Sequence, residues 1–99
     1  MPTFAHSFST KERELQILRI RFPHLSEKLS GQVVDALAKL RSLDLKKPPS
    51  ISEALDWAQS LALLNADSLT PQLLASTLSL VLKHESDVEK AKGQLSALI

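Results

Sequence analysis

Leu29, Val33, Leu37 and Leu40 follow one another at spacings of four, four and three residues, and that period places all four on one side of an α-helix. An apolar stripe on a helix must be covered by another element, so a chain with several such stripes folds by packing helices on one another. Further stripes are present. Leu15, Leu18 and Phe22 form one; Ile51, Leu55, Ala58 and Ala62 another; Leu74, Leu78, Val81 and Leu82 a third, widened by Leu73, Thr77 and Leu80; and Val88, Ala91, Leu95 and Leu98 a last one. Leu and Ala dominate the apolar set and there are two glycines, where a sheet protein would draw on Val, Ile and aromatic residues. The expected fold class is all-α, a compact bundle of four to five helices.

Capping and turn residues set the expected boundaries. Ser9 with Glu12 reads as a capping box ahead of a first helix over about 10–21, ended by Pro23. Residues 1–8, with Pro2, Phe4 and Phe8 lacking helical company, read as a flexible lead-in or hinge remnant, and 9–99 as the helical domain. Ser26 caps the second helix, and Lys46-Lys47-Pro48-Pro49 stops it, because a proline biases its predecessor toward extended geometry. Gly31 near the start of that helix marks either a close approach of another backbone or simple tolerance. Ser50 with Glu53 is a second capping box, opening a helix over about 51–64. Asn65 to Ser68 is turn chemistry, and Thr70 with Pro71 starts the fourth helix. Ser86 with Glu89 reads as a third capping box, so the run is expected to break near His84 and continue as a short fifth helix.

The 99 residues are one domain in size, and 43% hydrophobic content suffices for a core. The formal net charge is +1 and the mean hydropathy −0.02, so neither a polyanion nor a membrane is indicated as partner. Residues 1–47 hold nine Lys/Arg against five Asp/Glu and residues 48–99 three against six, a dipolar distribution that can orient the domain on a neighbour. No cysteine is present, which excludes disulfides and thiolate chemistry together. No signal-peptide pattern or membrane-length apolar run occurs, so a cytoplasmic location is expected.

No catalytic site emerges. Gly31 and Gly93 are far from any Lys-Ser/Thr pair, so no phosphate loop is present, and His6, His24 and His84 are too dispersed for a metal site. Ser9, Ser26, Ser50 and Ser86 are explained by capping rather than nucleophilic roles. Glu53 and Asp56, three apart, suit the positive end of a helix. Trp57 is a core or interface residue with its N–H bonded, in preference to a base-stacking one. Arg13, Arg19, Arg21, Lys46 and Lys47 form the best basic cluster, but Arg13 and Arg21 do not share a face with Arg19. A helix carrying Glu53 and Asp56 would repel phosphate, so a DNA-binding role ranks last.

The block LDLKKPPSISEALDWAQSLALLNADSLT, from Leu43 to Thr70, resembles the C-terminal helical lid of MoxR-type AAA+ ATPases, in the branch whose lid carries K-K-P-P-S followed by an S-E-x-L-D-W helix. Upstream, ELQILRIRFPHLSEKLSGQVVDALAKLRSLDL resembles the first two lid helices, with the R-x-P element at Arg21 to Pro23. Downstream, LTPQLLASTLSLVLKHESDVEKA resembles the fourth helix and the L-K-H-x-x-D-V/L-E sequence after it. Order and spacing of these blocks carry the resemblance, which covers nearly the whole chain from about Thr10.

The resemblance implies a lid without its engine. In the family an α/β core supplies the phosphate loop, the acidic residues that hold Mg and the arginine finger, and the lid packs beside the bound ATP. Ser50, Ser52, Glu53, Lys46 and Lys47 are the residues it places nearest the nucleotide, and Trp57 is the interface candidate. Many relatives carry an arginine at the start of the third lid helix; Ser52 stands near that position, so the usual contact with the terminal phosphate does not carry over. Glu53 at the same helix terminus argues against a direct phosphate role. Implied partners are the ATPase core, an oligomeric parent and a von Willebrand factor A domain protein, in client remodelling during metalloenzyme or complex maturation. A freestanding helical adaptor that binds a partner helix or loop is the alternative class.

Overall fold

Ser26, Ser50 and Thr70 each stand in extended geometry immediately before a helix, where a side-chain oxygen can meet backbone N–H groups that have no partner within the helix. Ser26 accepts from the Leu29 N–H at 3.0 Å and Thr70 from the Leu73 N–H at 3.1 Å. A computed structural model describes residues 10–98. It contains α1 (Thr10–Arg21), α2 (Glu27–Ser42), α3 (Ile51–Leu63), α4 (Pro71–Val81), α5 (Glu85–Lys92) and α6 (Leu95–Leu98), with no strand among the described residues. The fold is an all-α bundle. The lead-in 1–8 and the Ser9 half of the first capping box lie outside the described residues.

The turn between α3 and α4 follows its sequence closely. Asn65 adopts φ 55, the left-handed geometry that asparagine tolerates better than most residues. Its N–H donates to the Ala62 carbonyl and the Ala66 N–H to the Leu61 carbonyl, the paired bonds of a Schellman end. Gln32 on α2 then accepts from the Leu69 N–H at 2.8 Å, fastening the turn to the longest helix.

Two expectations need correction. The Ser86–Glu89 capping box is replaced by an earlier start, in which α5 begins at Glu85 with His84 before it and the His84 carbonyl accepts from Val88. The last run is also not continuous: it is interrupted at Gly93 and resumes as α6, making six helices among the described residues. This break lets Leu98 reach the core, where α6 packs on α2 and α4.

The α2 stripe is wholly buried at Leu29, Val33, Leu37 and Leu40. On α3 the buried side is rotated from the expected one. Ala54, Trp57, Ala58 and Leu61 face inward, while Leu55 and Ala62 are half-buried and Ile51 is exposed. The indole explains the rotation, because burying Trp57 removes more apolar surface than any aliphatic alternative. Its Nε1–H donates to Thr77 Oγ1 at 2.8 Å, and the Thr77 hydroxyl donates to the Leu73 carbonyl at 2.7 Å. The radius of gyration, 13.4 Å, matches the roughly 13 Å of a packed chain of this length.

Thr77→Val keeps the side-chain shape but strands a buried indole N–H, and should cost about 1–3 kcal/mol in chemical denaturation. Combining it with Trp57→Phe, which removes the donor, should cost less than the two changes summed. Gly31 sits in open space, with nothing within 4 Å of an added Cβ, so tolerance and not close approach explains it. Gly31→Ala should therefore stabilise the chain by about 0.5–1 kcal/mol, read as a raised denaturant midpoint.

Candidate functional site

The elbow between α2 and α3 poses a donor problem. Pro48 and Pro49 carry no N–H, so the backbone donors from Leu45 to Ser50 are four, and each needs an acceptor. Leu45 donates to the Leu43 carbonyl at 2.9 Å. Lys46 and Lys47 donate to the two oxygens of Asp87, at 2.9 and 3.0 Å. Ser50 donates to Glu53 Oε1 at 2.8 Å, and its hydroxyl donates to the same oxygen, completing the capping box expected there.

Arg41 holds the elbow from the other side. Its Nε–H donates to the Pro49 carbonyl at 2.8 Å, and its two terminal nitrogens grip both oxygens of Glu14 on α1 at 2.8 and 2.7 Å. Such a forked pair fixes direction as well as distance. Lys90 on α5 adds a bond to the Asp44 carbonyl at 2.7 Å. Four helices thus fix one eight-residue linker whose Leu45 and Pro49 are buried.

Of the residues singled out from the sequence, Lys46, Lys47, Ser50, Ser52 and Glu53 all lie at this elbow or on the first turn of α3. Lys46, Lys47, Ser50 and Ser52 are exposed and Glu53 is buried. Trp57 is not beside them on the surface; it is fully buried, which leaves it a core role. Asp87, Arg41 and Glu14 are the residues that sequence reasoning missed. Glu14 and Arg41 stand 27 residues apart and Asp87 and Lys46 41 apart along the chain, beyond any local pattern. The signal available was the elbow itself, whose donors ahead of two prolines require an acceptor from elsewhere.

The electrostatics follow from these bonds. The hydroxyl and then the N–H of Ser50 hold the Glu53 carboxyl below its ordinary value, outweighing burial, with Lys83 and Lys47 adding to the effect. Burial pushes Asp87 upward, but the N–H groups of Lys46 and Lys47, aided by the charges of His84 and Lys46, bring it below its ordinary value. Both carboxylates are therefore ionised acceptors, committed to the backbone rather than poised to move protons. Among the described residues no group of His, Asp and Glu is arranged to hold a metal ion, and no helix is long and apolar enough to cross a membrane. An open groove of about 660 Å³ lies at the far end of α3, lined by Leu64, Ala66, Asp67, Leu73 and their neighbours.

Comparison of the chain with family models, curated proteins and solved structures found no match.

Because both carboxyls are depressed on folding, their contribution to stability is complete above their ordinary values of 4.5 and 3.8 and disappears as the pH falls through the folded values. Thermal unfolding should accordingly be flat from neutral pH to about pH 5 and decline below it. Asp87→Asn turns one acceptor into a donor facing an N–H, so it should lower the midpoint by several degrees at neutral pH and by progressively less as the pH falls below the ordinary value of 3.8.

Proposed function

We propose that this chain is the C-terminal lid of a MoxR-like AAA+ ATPase, which couples the nucleotide state of a separate ATPase core to chaperone-like client remodelling in the cytoplasm. ATP and Mg belong to that core, and the parent works as an oligomer, alongside a von Willebrand factor A domain protein. One observation carries the reading. Two of the sequence blocks that bear the resemblance meet in space: Asp87 of L-K-H-x-x-D-V-E clamps Lys46 and Lys47 of K-K-P-P-S, beside the Ser50 cap that Glu53 of S-E-x-L-D-W completes within the same block. Residues scattered over some 41 positions thus serve one elbow, which gives the order and spacing of these blocks a structural reason.

Such a lid would act by moving as a unit. With its elbow tied to four helices, the bundle moves as one piece, so rotation at a hinge is transmitted across it rather than absorbed. Glu53 occupies the positive end of α3, so a nucleotide phosphate is met, if at all, by the exposed side chains of Lys46 and Lys47. A freestanding adaptor is the second reading, and the exposure of Ile20 and Leu63 on the surface favours it.

The isolated chain should show no ATP turnover and at most weak nucleotide binding. Added to a MoxR-type α/β core expressed without its lid, it should bind and change the rate of hydrolysis, measured by phosphate release. Turnover by the purified chain that vanishes on a point substitution within it would refute the reading, as would a core indifferent to its addition.

A further inference from the structure

Helix α1 is apolar on two sides. Leu18 is buried and Leu15 and Phe22 pack against the core, yet Ile17 on another side is only half-buried and Ile20 is 78% exposed. Helix α3 repeats the pattern, because the inward turn of Trp57 leaves Leu55 half-buried, Ile51 exposed and Leu63 77% exposed.

Two recesses show how these outward sides lie. One of about 240 Å³ is bounded by Arg13, Glu14 and Ile17 on α1 and by Ile51 at the start of α3. Another of about 180 Å³ is bounded by His24 and Leu25 just beyond α1 and by Ala62 and Asn65 at the end of α3. The helices therefore run side by side in the same direction. Positions 13, 17, 20 and 21 share one side of α1, so Ile20 and Arg21 continue the edge that Arg13 and Ile17 begin.

The charges on α1 divide in a telling way. Lys11 pairs with Asp35 at 2.6 Å, Glu14 with Arg41 at 2.7 Å and Arg19 with Glu27 at 3.2 Å. Arg13 and Arg21, the two on the outward side, have no ionic partner among the described residues.

We propose that the α1–α3 face is a docking surface for an amphipathic helix of another protein, whose aliphatic stripe seats on Ile17, Ile20 and Ile51 and whose flanking carboxylates meet Arg13 and Arg21. The groove between two parallel helices accepts the ridge of a third. A second copy is disfavoured as occupant, because a two-fold contact through this face would set Arg13 and Arg21 against the same cations of its mate. The proposal is independent of the ATPase reading, since it asks only for a helix of this chemistry.

The test uses two synthetic helical peptides with leucines at i, i+3, i+4 and i+7, one flanked by Glu and its twin by Lys, titrated against the whole chain while backbone amide shifts are followed. The Glu-flanked peptide should bind and move resonances in α1 and α3. Ile20→Glu, at an exposed position and with its fold verified by circular dichroism, should weaken binding roughly tenfold. The double change Arg13→Glu with Arg21→Glu should reverse the preference toward the Lys-flanked twin by roughly tenfold. Equal affinity of both peptides for the unaltered chain, no binding, or shifts confined to the Leu64–Leu73 groove would overturn the proposal. A dimer in sedimentation that Ile20→Glu abolishes would overturn it in favour of self-association.

Discussion

Asp87 accepts from two consecutive backbone N–H groups with its two oxygens, and most of the remaining architecture is arranged around that bond pair. The elbow it serves cannot be helical, since Pro48 biases Lys47 toward extended geometry and Pro49 does the same to Pro48. Nor does it satisfy the donors of Lys46 and Lys47 from within itself. With the acceptor supplied from α5, the elbow can stay packed against the bundle with Leu45 and Pro49 buried. The same contact sets where α5 lies relative to α2 and α3, so one carboxylate fixes a loop and a helix together.

Arg41 and Glu53 extend this logic on either side. Arg41 connects the elbow to α1 through Glu14, a residue 6% exposed, whereas Glu53 uses the elbow's last residue to start α3. A buried carboxylate gripped at both oxygens has its desolvation offset by charge-assisted bonds. The surface pairs of Lys11 with Asp35 and Arg19 with Glu27 are more than half exposed and contribute little by comparison. Rigidity at the elbow is thus an effect of a few buried polar contacts, while the bulk of the stability comes from the leucine-rich core.

What could be read in advance divides along the same line. Local signals served well: the α2 stripe, the Ser50–Glu53 box, the Thr70-Pro71 start and the Asn65 turn all depend on residues within four or five positions of each other. On α3 the aliphatic spacing of Ile51, Leu55, Ala58 and Ala62 points only partly inward, at Ala58, because the larger indole at Trp57, bonded to Thr77 some 20 residues away, turns the helix inward on its own side. The Ser86–Glu89 box failed for a related reason. Asp87, between them, is drawn to the elbow, and the helix starts early enough to present it there. Of the elbow, the exposed lysines and the cap were legible, but the acceptor that organises them was not.

The rotation of α3 has a consequence for the surface. Had Ile51, Leu55 and Ala62 faced the core, the side of α3 next to α1 would have been polar and the two helices would have presented ordinary solvated faces. Instead the inward demand of Trp57 displaces aliphatic side chains outward on α3, beside the second apolar side of α1. Scattered exposed aliphatics need no explanation, but here Ile17 and Ile51 border one recess between two helices, beside Arg13 and Arg21, which have no ionic partner among the described residues. The bond that settles Trp57 inside, from its indole to Thr77, is in that sense also what gives the bundle an apolar face outside.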